Sequence, residues 1–290
     1  MIADTKGETT ALATDWSTSL TQTFSNISLT PVSSVDGKNF YYMSEGTTDN
    51  SGVAQSGAKF SSATATEATA AETTTTAYVL DYVFQLKATN TTGTEQKVAI
   101  TDLNLTSPLS ATNGSEKAFR VATFVENQST TGNAFTGSIP SSAGSIYAPS
   151  GYAYQSGTTA KAISTVDASS SATLGEVTIA DSANSIGTIT AATTGPVYYK
   201  VWVRLWLEGE DKSCYNDLFL SSGDWSLNLK VEMGDSTGAS AITGVSALDV
   251  SYTAAYMMFI HLSLCFIHQN ALHSRLNVKA FMVIYLLLEP

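Results

Sequence analysis

A strict two-residue alternation of apolar and polar side chains is the feature that most limits what this chain can fold into. In residues 225–233 (WSLNLKVEM), Trp225, Leu227, Leu229, Val231 and Met233 fall on one side, and Ser226, Asn228, Lys230 and Glu232 on the other. Successive side chains of a strand point to opposite faces, so this run predicts a strand with one face in a core and one in water. Residues 77–92 repeat the pattern, with Tyr78, Leu80, Tyr82, Phe84 and Leu86 set against Asp81, Gln85 and Lys87. The stretch from Val197 (VYYKVWVRLWLEGED) puts Val201, Val203, Leu205 and Leu207 on one face and Trp202, Arg204, Trp206 and Glu208 on the other. It is apolar on both faces for much of its length, which predicts a central strand.

Weaker strands are expected at 24–33, 39–44, 96–106, 117–126, 174–180 and 186–191. Within 96–106 the apolar phase shifts between Ile100 and Leu103, as a bulge or a bend would require. Between the strands lie turn compositions such as NTTGTEQ, TNGSEK and NQSTTGN, and no long stretch of the body carries a helical stripe. An open sheet of so many strands would leave an apolar face wet. The expected fold is therefore all-β, a jelly-roll or Ig-like sandwich of two antiparallel sheets with long Ser/Thr/Gly-rich loops. Residues 25–252 form the expected sandwich, with loop insertions near 50–75 and 128–172, the second a small β-rich unit around SIYAPSGYAYQS.

Charge narrows the function classes. Charged residues are only 13% of the chain, about half the ordinary share, and the formal net charge is −11. An acidic chain with no basic stripe repels phosphate backbones, which excludes nucleic acid as a partner. A Ser/Thr-rich surface this poor in charge predicts a secreted, extracellular or cell-surface protein. The opening MIADTKGETTALATDW lacks the basic start and apolar stretch of a secretory signal, so such a segment is expected to have been removed or to lie upstream. The two cysteines, Cys214 and Cys265, form no CxxC pair and no zinc spacing.

Residues 253–290 read differently from the rest. All three histidines (His261, His268, His273) lie there, and Arg275 and Lys279 against Glu289 leave the acid excess to residues 1–252. Its apolar runs are shorter than the ~20 residues needed to cross a bilayer as a helix. Three readings stay open for this atypical hydrophobic tail: a read-through or shifted-frame segment, a membrane or interfacial segment, and a packed terminal element. Membrane contact is expected only through it.

Chemical sites are sparse. Glu208, Glu210, Asp211 and Asp217, within LEGEDKSCYND, are candidates to gather oxygens around calcium, although the spacing matches no EF-hand and an acidic solvated turn explains it as well. No other cofactor is expected. A body without histidine lacks the usual base of a Ser-His-Asp or Cys-His arrangement, and no HExxH occurs. The chain is accordingly expected to be non-enzymatic. Tyr147, Tyr152 and Tyr154 cluster in an expected loop and are candidates to stack on a surface glycan, whereas Trp202 and Trp206 suit core packing between the two sheets. The Asn-x-Ser/Thr triplets at Asn26, Asn90, Asn104, Asn113 and Asn127 follow from composition.

The pair YYKVWVRLWLEGEDKSCYNDLF (198–219) and GDWSLNLKVEM (223–233) resembles the final two strands of the TasA/camelysin group of secreted proteins from Gram-positive bacteria. AYVLDYVFQLKATNTT (77–92) is similar to that group's strand ending in an "lkatN" turn. The resemblance covers about a quarter of the chain. It implies a jelly-roll subunit of cell-surface or biofilm-matrix fibres in which an N-terminal segment of one subunit adds a strand to the next. The group's association with metalloprotease activity finds no metal ligands in this sequence.

Strand addition has a physical basis apart from any family. A missing edge strand exposes N–H and C=O groups that a neighbour's extended segment satisfies, and head-to-tail contact of this kind propagates a filament. Residues 1–24 are the expected extended segment, with Leu12, Trp16, Leu20 and Phe24 as self-assembly anchors. Their spacing of four also suits a short amphipathic helix, and the segment also suits the domain's own first strand. The expected function is a structural fibre subunit that self-associates by strand exchange, with a monomeric adhesin or carbohydrate-binding module as the alternative.

Overall fold

The computed structural model describes residues 1–5, 10–25, 28–47, 54–64, 76–106, 115–128, 134–149, 152, 154, 157–180, 184–191, 195–214, 226–234 and 279–287. These residues form β1 (Ile2–Asp4), β2 (Ser19–Ser25), β3 (Ser28–Leu29), β4 (Phe40–Glu45), β5 (Lys59–Ala63), β6 (Thr76–Ala77), β7 (Leu80–Ala88) and β8 (Gln96–Thr106). A 3-10 turn at Ser115–Ala118 precedes β9 (Phe119–Gln128), β10 (Ser145–Tyr147), β11 (Lys161–Val166) and β12 (Ala172–Glu176). The last strands are β13 (Asn184–Ile189), β14 (Val197–Leu207), β15 (Ser226–Gly234) and β16 (Lys279–Leu287). That turn is the sole helical element among the described residues, so the chain is all-β.

Two five-stranded sheets dominate, in the orders β1-β7-β14-β9-β10 and β13-β8-β15-β16-β2. The first is antiparallel throughout. In the second, β15 and β16 run parallel while the other pairs are antiparallel. Alternation explains how they face each other. Leu80, Tyr82, Phe84 and Leu86 of β7 and Tyr199, Val201, Val203 and Leu205 of β14 share one core with Val98, Ile100, Leu227, Leu229 and Val231 of the second sheet. Full burial of each such side chain contributes roughly 1.5–3 kcal/mol. The expected phase shift in β8 is a bulge: Lys230 faces Asp102 and Val231 faces Ile100, leaving Thr101 as the extra residue.

The first sheet is buried on its other face too. All eleven residues of β14 are buried. Trp202 and Trp206 join Val32, Phe40, Val79, Val83, Ala122, Phe124 and Ile146 in a second core. A third layer covers this face, made of the β4–β5 and β11–β12 hairpins and the chain around 32–39. Ser33 Oγ accepts from Ile163 N at 2.7 Å, and Tyr41 donates to Ser164 O at 3.1 Å, which ties these pieces together. The tryptophans are thus core residues, but under the third layer rather than between the two large sheets.

Several expectations change. Within the 128–172 stretch, Ser145–Tyr147 is the edge strand beside β9, and Lys161–Val166 pairs with Ala172–Glu176. Tyr147 lies buried in the main core and not in a loop. The predicted strand at 24–33 begins earlier, at Ser19, and its partner is the tail strand. The boundary expected at 24/25 therefore falls inside β2. Most of 50–75, and the tail up to residue 278 with its histidines, lie outside the described residues. Among the described residues no helix is long and apolar enough to cross a membrane.

Candidate functional site

Two regions collect the residues singled out in the sequence. The first is the rim where β1 and β2 lie, each the terminal strand of its sheet. β1 pairs with β7 through Ile2–Leu86, Ala3–Gln85 and Asp4–Phe84. Ile2 and Ser17 exchange backbone bonds of 2.8 Å in both directions, which brings the start of β2 against the outer side of β1. Gln22 of β2 then donates to Asp4 Oδ1 at 2.7 Å and to Val83 O at 2.8 Å, bridging the two sheets. The N-terminal stretch thus closes one side of its own chain.

Of the four expected anchors, Trp16 and Leu20 lie on different surfaces. Leu12 is half-buried, and Trp16 packs against Tyr198 at 5.7 Å between ring centroids with Lys87 Nζ 5.8 Å from its ring. Leu20 leans on the main core from the second sheet. Phe24 stands in β2 opposite Ala280. Among its described residues the segment passes from one sheet to the other without a helix. What holds residues 10–13 is Gln85, missed in the sequence as one polar residue of an alternating strand. Its amide donates to Ala11 O at 2.7 Å and its carbonyl accepts from Ala13 N at 2.9 Å.

The second region is the acidic turn after β14. Gly209 N donates to Val32 O at 2.9 Å and Glu208 N to Ala118 O at 2.7 Å, so the turn sits between two other segments. Glu208 is buried, and its carboxylate accepts from Ser34 N at 3.3 Å, Trp206 Nε1 at 3.2 Å and Glu210 N at 3.2 Å. Asp211 is buried as well. It accepts from Arg120 Nη2 at 2.7 Å and from Ser213 N at 2.8 Å. Arg120 also donates to Lys117 O and Phe119 O and lies over Tyr152, 5.5 Å from its ring centroid. A charge inside the apolar run KAFRVAT was the available signal for this buried partner.

Burial pushes the Glu208 carboxyl up, against the opposing pull of the Arg120 charge and its hydrogen bonds. Glu210 is pushed up to about 7 by burial and by the neighbouring Glu208. Desolvation also raises the Cys214 thiol, with the Asp211 and Glu208 carboxylates adding to it, so this buried cysteine is a poor nucleophile. Of the four calcium candidates, the structure brings Glu208, Glu210 and Asp211 together. Asp217 lies outside the described residues. The Glu208 and Asp211 oxygens already accept from internal donors, and among the described residues no group of three His, Cys, Asp or Glu has a metal-holding arrangement. The turn acts as a knot joining residues 32–34, 118–120 and 206–214.

Tyr152 and Tyr154 are each engaged by a cation, Arg120 at 5.5 Å and Lys161 Nζ at 5.6 Å. Among the triplet asparagines, Asn90 is fully buried and donates to Thr94 O, Ile189 O and Thr190 O. It caps a turn. Comparison with known proteins returns no matching family model, no matching curated protein and no matching solved structure.

Proposed function

We propose that this chain is a non-enzymatic structural subunit of an extracellular cell-surface or biofilm-matrix fibre, a jelly-roll or Ig-like sandwich whose copies join by exchanging strands at the rim formed by residues 1–25. One observation carries the reading: a single N-terminal stretch supplies the terminal strand of both large sheets, Ile2–Asp4 in one and Ser19–Ser25 in the other. A terminal strand has a ladder on one side only, so a rim built from such strands is where a second copy can add or exchange a strand at least cost. The contacts are identical in either arrangement. What changes is connectivity, and a head-to-tail exchange gives mechanical continuity through main-chain hydrogen bonds. The body around the rim is suited to load, with a central strand buried on both faces and buried ion pairs joining β7 to β14 and β9 to the turn after β14.

Electron microscopy of the purified chain tests this, beside a chain lacking residues 1–24. Filaments from the full chain that disappear in the deletion are the expected result. A full chain that stays monomeric up to its solubility limit overturns the fibre reading, and filaments unchanged by the deletion overturn the role of the N-terminal rim.

A further inference from the structure

The second sheet is completed by a strand from the far end of the chain. Residues 235–278 separate β15 from β16, yet Lys279–Leu287 lies directly between β15 and β2. Its ladder to β15 is parallel, running from Ser226–Phe281 to Glu232–Leu287. Its ladder to β2 is antiparallel, from Lys279–Ser25 to Tyr285–Ser19. If this strand is withdrawn, β2 and β15 each lose their shared neighbour and a slot one strand wide opens along both.

The register also shows a mismatch. On β2, Ser19 and Thr21 are exposed and Gln22 is buried. The outward rows of the sheet therefore hold Ser19, Thr21, Asn228, Lys230 and Glu232, and the same rows of β16 are occupied by Phe281, Val283, Tyr285 and Leu287. Met282, Ile284 and Leu286 are the register partners of Leu227, Leu229 and Val231. β16 is apolar in both sets of rows, a pattern that fits burial on two sides, while the outward rows of its neighbours β2 and β15 are polar.

The N-terminal strands are tied more widely. Lys87 N donates to Met1 O at 2.8 Å, Ile2 and Ser17 bond mutually, Gln85 clamps Ala11 and Ala13, and Phe135 N donates to Thr10 O at 2.7 Å. Withdrawing residues 1–25 breaks contacts to both sheets and to the chain at Phe135. Among the described residues the β16 ladders run to β2 and β15.

We infer that the strand exchanged at this rim is the C-terminal one: Lys279–Leu287 of one copy seats between β2 and β15 of a second copy. This rests on the self-association reading above and names its partner segment. Cis and trans seating make the same ladders, so the choice between them is set by effective concentration. The long intervening chain lowers the cis value, because closing a longer loop costs more entropy. A free slot and a free strand on the same molecule also allow the exchange to continue from copy to copy, giving an open chain of subunits.

Disulfide trapping tests it. Thr21 and Val283 are Cα partners across an antiparallel ladder, a spacing within the reach of a disulfide. Thr21→Cys and Val283→Cys are made as separate full chains, each with Cys214→Ala and Cys265→Ala, mixed in denaturant, refolded together and oxidised. The expected result is a disulfide between the two chains, with a yield that rises with protein concentration. The double variant Thr21→Cys/Val283→Cys gives the cis arrangement as an internal disulfide. Internal disulfide at every concentration with none between mixed single variants overturns the inference, as does the absence of either. Ser19→Cys with Tyr285→Cys repeats the test one row pair along, should the first variants fail to fold. Filaments without the interchain disulfide sink this inference and leave the fibre reading standing. Interchain disulfide in closed dimers alone, seen by light scattering, supports the inference and sinks the fibre.

Discussion

The Arg204 guanidinium grips the Asp81 carboxylate with two parallel bonds, Nε to Oδ1 at 2.7 Å and Nη2 to Oδ2 at 2.6 Å, both side chains buried beneath the third layer. The same guanidinium donates to Gly37 O at 3.2 Å and lies over Phe40, 5.7 Å from its ring centroid. Removing one partner leaves the other as a buried charge. Asp81→Leu and Arg204→Met are each expected to cost about 3–5 kcal/mol in denaturant unfolding. The double variant Asp81→Leu/Arg204→Met is expected to lie closer to the parent than the sum of the two. Additive losses would refute the pairing as the source of the cost.

Gly37 holds φ at +68°, and a Cβ there would stand 2.7 Å from the Ala122 Cβ. Gly37→Ala is expected to destabilise by about 1–3 kcal/mol, from the left-handed backbone and the clash together. Adding Ala122→Gly relieves the clash but not the backbone term. Partial recovery in thermal unfolding is the expected outcome, and full recovery would show that the backbone conformation costs nothing.

The acidic turn makes stability depend on pH with a definite sign. The folded-state value of Glu210 is about 7, above its ordinary value of 4.5. Between these values the folded state binds more protons than the unfolded one, so stability falls as pH rises from about 4.5 to 7 and levels off above. The stabilisation relative to alkaline pH is fully present below the ordinary value. Glu210→Gln removes the ionisation and is expected to flatten that slope and to raise stability at pH 8 by about 1–3 kcal/mol. A slope unchanged in the variant would place the pH dependence elsewhere.

Gln85 clamps the crossing segment at Ala11 and Ala13. Gln85→Leu keeps the bulk but removes both bonds, so the segment is expected to be cut sooner in limited proteolysis near residues 10–16. The global loss is about 1–2 kcal/mol. Equal cleavage rates in parent and variant would mean the segment is held by Trp16 and its ring contacts instead.

Much of the fold was legible because it obeys a two-residue period. β7, β14 and β15 lie where alternation placed them, β14 is central and buried on both faces, and the phase shift at Ile100–Leu103 is a bulge. The first two strands of the chain were harder to read. Ser19–Ser25 is Thr- and Ser-rich, with one apolar row of Leu20, Gln22 and Phe24 that holds a glutamine. Gln22 has no apolar reason to face inward and does so to bridge Asp4 and Val83. The burial of the acidic turn is not legible in the sequence, since composition alone gives no hint that Ser34, Trp206 and Arg120 converge on it.

Local pattern determined the secondary structure of this protein: alternation fixes which residues form strands and which row of each strand is apolar, because a strand's two faces are set by the chain itself. Tertiary structure alone decided which strands become neighbours, which polar faces are covered, and that a strand from residues 279–287 fills the gap between Ser19–Ser25 and Ser226–Gly234. Those outcomes depend on hydrogen bonds and ion pairs between residues far apart in sequence. Spacing along the chain carries no record of them.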